Sequence, residues 1–84
     1  MRYKIVYTSR AAKDLAKLEP SAKERIRETL ERYMEAPLDY ARKMVDPALG
    51  SYRFRIGDYR IIFDIESEEL VILRVGHRRE IYRG

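Results

Sequence analysis

YRFRIGDYRIIFDI, residues 52–65, consists of two short alternating runs on either side of Gly57-Asp58. A two-residue loop led by glycine between such runs predicts a β-hairpin, because glycine accepts the positive φ that tight hairpin turns need. With Gly57 and Asp58 as the loop, Ile56 pairs with Tyr59, Arg55 with Arg60, Phe54 with Ile61 and Tyr52 with Phe63. Side chains alternate faces along a strand. One face then collects Tyr52, Phe54, Ile56, Tyr59, Ile61 and Phe63, a core face, and the other collects Arg53, Arg55 and Arg60. Like charges directly opposite one another across strands are destabilising. Two readings of the second face follow: a solvated surface relieved by Asp64 and nearby glutamates, or an anion site in which a phosphate sits between forked guanidinium groups.

Working outward, the chain of 84 residues is the size of a single domain, residues 1–84, with a core of limited extent. It has no cysteine, which excludes a disulfide framework, thiolate catalysis and cysteine-based metal sites. No apolar run approaches the length of a membrane span, and the N-terminus enters an alternating pattern at once, so a cytoplasmic protein without membrane association is expected. The net charge of +4 suits an anionic partner. All five lysines precede residue 44, whereas the last 34 residues carry seven arginines and no lysine. Arginine stays charged and grips phosphate bidentately, so that bias fits a recognition surface. The absence of Asn, Gln and Cys alongside many charges has the composition of a thermophile protein.

Residues 2–8 predict a strand with Tyr3, Ile5 and Tyr7 on one face. Ser9 is the expected N-cap of a helix from about Arg10 to Leu18, which Glu19-Pro20 ends. Ser21 and Glu24 make a capping-box pattern for a second helix. Its apolar stripe is Ala22, Ile26, Leu30, Tyr33 and Met34, and Pro37 ends it. Residues 37–50 read as a long connection without chemistry, with Met44 and Val45 as candidate anchors. Glu66 to Glu69 form an acidic turn, and Leu70 to Val75 a last strand. An odd-numbered loop would put Val71, Leu73 and Val75 on the core face and Arg74 on the arginine face. The order is β-α-α-β-β-β: an α+β domain with a helix hairpin packed on one face of a mainly antiparallel sheet.

The chain closes on Gly76-His77-Arg78-Arg79-Glu80-Ile81-Tyr82-Arg83. There is no Gly-rich phosphate loop, no Ser/His/Asp set and no metal-ligand spacing, so no cofactor or metal is expected. A basic cluster with a tyrosine, following a strand beside the hairpin, suits single-stranded RNA, whose phosphates meet guanidinium groups and whose bases stack on rings.

Taken together, Tyr52-Arg53-Phe54-Arg55, Gly57-Asp58-Tyr59-Arg60-Ile61-Ile62-Phe63, the acidic turn and Val75-Gly76-His77-Arg78-Arg79-Glu80-Ile81-Tyr82 resemble the RelE family within the RelE/ParE toxins. Tyr3-Lys4-Ile5, the helix hairpin and Pro47-Ala48-Leu49-Gly50 agree with it. The resemblance implies a RelE-like fold and the toxin of a type II toxin–antitoxin pair. Such a toxin is a metal-independent endoribonuclease that enters the ribosomal A site and cleaves mRNA, and a RelB-like antitoxin neutralises it in a hetero-oligomer. Carried over, the family's two basic positions on the first hairpin strand fall on Arg53 and Arg55, its hairpin arginine on Arg60, its post-strand arginine on Arg78 and its terminal tyrosine on Tyr82. Attack of the ribose 2′-OH on the adjacent phosphate would leave a 2′,3′-cyclic phosphate and a 5′-OH. Arg60 and Arg78 would stabilise the phosphorane, Tyr82 would stack on or orient the nucleotide, and Arg74 and Arg79 would add phosphate contacts. Well-known members carry lysine where this chain has Arg53 and Arg55, and arginine cannot serve as a base. His77, the only histidine, is the candidate replacement, with water or a ribosomal group as the alternative. Two rivals remain: a ParE-like gyrase inhibitor, and a non-catalytic RNA- or ribosome-binding module.

Overall fold

In the computed structural model, which describes residues 2–45 and 48–81, the hairpin stands at the middle of a five-stranded sheet. Its strands are β1 (Lys4–Tyr7), β2 (Arg42–Lys43), β3 (Tyr52–Ile56), β4 (Tyr59–Glu66) and β5 (Glu69–His77), in spatial order β1-β5-β4-β3-β2. Among the described strands only β1 and β5 pair in parallel. Three helices, α1 (Ser9–Ala16), α2 (Pro20–Tyr33) and α3 (Pro37–Tyr40), complete an α+β fold. Among the described residues no helix is long and apolar enough to cross a membrane.

The hairpin has the register its turn dictates: Ile56↔Tyr59, Arg55↔Arg60, Phe54↔Ile61 and Tyr52↔Phe63. Gly57 takes a φ of 58°, the left-handed conformation the turn needs. Phe54, Ile56, Ile61 and Phe63 are buried. Against them pack Ala11 of α1, Ile26 and Leu30 of α2, and Met34. The Phe54 and Phe63 rings stack at 4.3 Å. Burying a phenylalanine is worth about 1.5–3 kcal/mol, and an aromatic pair adds about 0.5–1.5 kcal/mol, so this pair ties the two hairpin strands together.

Three local expectations are corrected. The N-cap of α1 is Thr8, not Ser9: its hydroxyl accepts from Ala11 N at 3.1 Å and donates to the Ile72 carbonyl at 2.8 Å, joining helix cap to sheet. The capping box at Ser21 and Glu24 does not form, because α2 starts two residues earlier than a Ser21 cap requires, with Pro20 in its first turn and Glu19 as a cap without a side-chain bond. Residues 37–50 are also more than a connection. Pro37 opens α3 as well as closing off α2, and Arg42-Lys43 adds the edge strand β2.

The phase of β5 differs too. Its turn holds two residues, Ser67 and Glu68, with Ser67 at a φ of 58°. Leu70, Ile72 and Val75 are therefore the buried residues, and Val71 and Leu73 are only partly covered. The ladder slips between Phe63↔Ile72 and Ile62↔Arg74, leaving Leu73 as an extra residue. This β-bulge, rather than an odd-numbered loop, returns Val75 to the core face opposite Ile61. Ile62, on the arginine face by register, is fully buried, and a Cβ at Gly50 (φ 148°) would lie 2.5 Å from its Cγ2. Only a glycine lets the backbone approach this closely.

Candidate nucleic-acid interface

Three strands contribute arginines to one sheet face. Arg42 of β2 lies opposite Arg53 of β3, and one row on Arg55 lies opposite Arg60 of β4. With Tyr40, at the end of α3, these four arginines line a cleft of about 220 Å³. Arg55 is exposed, and Arg53 and Arg60 are half-buried. A concave site floored by strands and walled by guanidinium groups can hold an anion with several oxygens by paired N–H donors. Two consecutive like-charge pairs also repel one another, and a bound phosphate would relieve that repulsion.

The Gly57-Asp58 turn gathers a second set of arginines. Arg60 Nη1 donates to the carbonyls of Gly57 at 3.1 Å and Tyr59 at 3.0 Å, which aims its guanidinium at the turn. Arg78 donates its backbone N–H to the Asp58 carbonyl at 2.8 Å, and its Nε lies 3.9 Å from the Asp58 carboxylate. Arg25 of α2, unremarked in the sequence, reaches the same turn: its guanidinium lies 2.9–3.2 Å from where a Cβ on Gly57 would stand. Arg60 thus belongs to both groups, and Arg78 is brought to the same end of the hairpin.

The other expected site residues are placed differently. Arg74 faces Ile62 in register, but its Nε donates to Asp14 of α1 at 2.9 Å. The same carboxylate oxygen accepts the Val75 N–H at 3.0 Å. His77 pairs with Tyr59 across β4 and β5, so its ring is on the helix side of the sheet, edge-on to the Tyr59 ring at 5.9 Å. It lines a separate cavity of about 260 Å³ with Asp14, Tyr59, Arg74 and Glu80. Its Nδ1 accepts the Arg79 N–H at 3.2 Å, and its carbonyl accepts from Glu80 and Ile81, so it braces the C-terminal turn. The Arg79 residue is exposed on that turn. Tyr82 lies outside the described residues. Tyr40 and Arg42 were not singled out from the sequence, although the Arg42-Lys43 pair five residues after Pro37 was a visible cue to a basic edge. Among the described residues, no group of three or more His, Cys, Asp or Glu side chains is placed to hold a metal ion.

The helices pack on one face of the sheet, and the cleft arginines are concentrated on the other. Over residues 5–82 the chain matches the family described as the ParE toxin of the type II toxin-antitoxin system parDE. It is 34% identical to Toxin RelG of Mycobacterium tuberculosis over 99% of both chains. Among solved structures it is similar to the toxin-antitoxin complex RelBE2 of M. tuberculosis, with a TM-score of 0.83 at 30% identity over 93% of this chain and 100% of the other. It is also similar to the RelB-RelE antitoxin-toxin complex of Methanococcus jannaschii, with a TM-score of 0.71 at 25% identity over 92% and 94% of the two chains. The chain belongs to the RelE/ParE family of type II toxin–antitoxin toxins.

Proposed function

We propose that this toxin is a ribosome-dependent mRNA endonuclease that blocks translation in the cytoplasm and is held in check by a RelB-like antitoxin. The observation that carries the reading is the cleft of Arg42, Arg53, Arg55 and Arg60, with Arg78 anchored at its turn. In this reading the 2′-OH of one nucleotide attacks the adjoining phosphate. The P–O5′ bond breaks, and the products are a 2′,3′-cyclic phosphate and a 5′-OH. Arg60 and Arg78 stabilise the charge gathering on the phosphorane, while Arg53 and Arg55 hold flanking phosphates. His77 acts by fixing the turn that carries Arg78 and Arg79, since its ring is across the sheet from the cleft. As it attacks, the 2′-OH gives up its proton to water or a ribosomal group, and the departing O5′ takes up a proton from the same kind of source. With no acid–base residue matched to neutral pH among the described residues that line the cleft, the main gain comes from in-line positioning of the mRNA.

The antitoxin proposal is supported by the named complexes of its structural relatives and by two docking surfaces here: the basic cleft, and a groove of about 400 Å³ between the helices, lined by Tyr7, Leu15, Pro20 and Ile26 among others. Burial raises the Tyr7 phenol pKa there, with Glu31 adding to the shift. Primer extension on translating ribosomes tests the reaction. Chelator-resistant cuts within A-site codons, weak on free RNA and lost in Arg78→Ala, are the expected result. A second reading, gyrase inhibition, is favoured by the ParE description of the matching family. Uncut mRNA alongside trapped gyrase–DNA breaks would transfer the assignment to it.

A further inference from the structure

We infer that Tyr40 is a stacking platform for one nucleobase of the RNA whose phosphates occupy the arginine cleft, a subsite that rests on the nucleic-acid reading above. The Tyr40 ring lies parallel to that of Tyr33, with centroids 4.0 Å apart and planes 9° from one another. Tyr33 in turn leans on the fully buried Phe54 at 5.1 Å. This three-ring series runs from the core to the surface and fixes the orientation of its outermost member. Tyr40 is nonetheless 53% exposed, and it lines the same cleft as the four arginines. A solvent-exposed tyrosine is usually mobile; this one is held by the ring beneath it and so loses little freedom when a base settles on it.

The neighbouring charges match that ligand. Arg42, two residues on, stands opposite Arg53, so a phosphate held by these two guanidinium groups would lie in the cleft that the tyrosine also lines. Alternating phosphate contacts with a π-face is the chemistry of single-strand recognition, and it tolerates any base because each has a flat face. A duplex is excluded by the same geometry, since its bases are already stacked on their neighbours. The ligand is therefore a single strand, gripped through its backbone by arginine and through one base by Tyr40.

A paired substitution tests this. Short 2′-O-methyl oligonucleotides, which lack the attacking hydroxyl and are not cleaved, are titrated against the purified toxin with an abasic site moved along the strand. One abasic position is expected to weaken binding at least about fivefold, the lower end for base–aromatic stacking, and that penalty should vanish in Tyr40→Leu. Leucine keeps an apolar cover on Tyr33 but has no π-face. Tyr40→Trp should keep the penalty or enlarge it. Tight binding with the same abasic penalty in Tyr40→Leu and wild type would overturn the platform while leaving the RNA reading intact. A wild type that binds no strand, or binds with no abasic penalty at any position, would also overturn the platform, while cleavage on translating ribosomes decides the RNA reading separately.

Discussion

Arg60 is the residue on which both arginine groups depend, because it faces Arg55 across the hairpin and also donates to the Gly57 and Tyr59 carbonyls. Arg60→Ala and Arg78→Ala are expected to abolish toxicity while leaving the protein folded. Arg78 is exposed, and surface substitutions stay within about 0.5 kcal/mol; Arg60 gives up hydrogen bonds as well, worth about 1 kcal/mol, partly offset by relief of its repulsion with Arg55. Growth inhibition on induction, measured beside thermal melts, checks this: toxic variants, or variants that only unfold, would count against the assignment. The Arg55–Arg60 pairing could be read from the sequence because a two-residue turn leaves one register, and that register places every hairpin side chain. The His77 face follows from Val75 in the same way: the expected phase and the bulged one both put Val75 on the core side, and His77, two residues on, shares it, away from the arginines.

That bulge is the main element-scale departure, and it is underwritten from another element. LVILRV is apolar at both phases of a two-residue alternation, so pattern alone could not choose between Leu70-Ile72 and Val71-Leu73 for the core. The choice is made by the two-residue Ser67-Glu68 turn, and the extra residue at Leu73 is accommodated because Asp14 of α1 takes the Val75 N–H. β2 was equally hard to see: two residues are too few to show any period, and Pro47 and Gly50 made the whole stretch look like loop. The α1–bulge contact gives a prediction. The Asp14 side chain is only 10% exposed and bonds both Arg74 and Val75. Asp14→Ala would leave a backbone donor and a guanidinium without their acceptor, at a cost of about 1–3 kcal/mol. Asp14→Asn, which keeps one acceptor oxygen for Val75, should recover part of it. Chemical denaturation of the three proteins measures the order; equal midpoints for Asp14→Ala and wild type would show that the bulge is held without α1.

At the scale of the whole molecule, the sheet separates two surfaces of opposite character. One is the arginine face, and the other is the helix layer with its apolar groove between α1 and α2. On the proposed reading an antitoxin silences the first, either by lying on it or by clasping the second and projecting over it. In both cases acidic segments of the antitoxin must come near the guanidinium groups, since this toxin is basic with a net charge of +4. Exposed charges interact over about a Debye length, roughly 8 Å at physiological salt and about 3 Å at 1 M. Antitoxin affinity is therefore expected to fall as salt rises, chiefly through slower association, because steering by charge acts on the approach of the partners. The antitoxin should also compete with a single-stranded oligonucleotide for the cleft. Surface plasmon resonance across a salt series, repeated with saturating oligonucleotide, separates the modes. Affinity that is unchanged by salt and by oligonucleotide would place the antitoxin wholly in the apolar groove, where burial of Tyr7, Leu15 and Pro20 rather than charge would hold it.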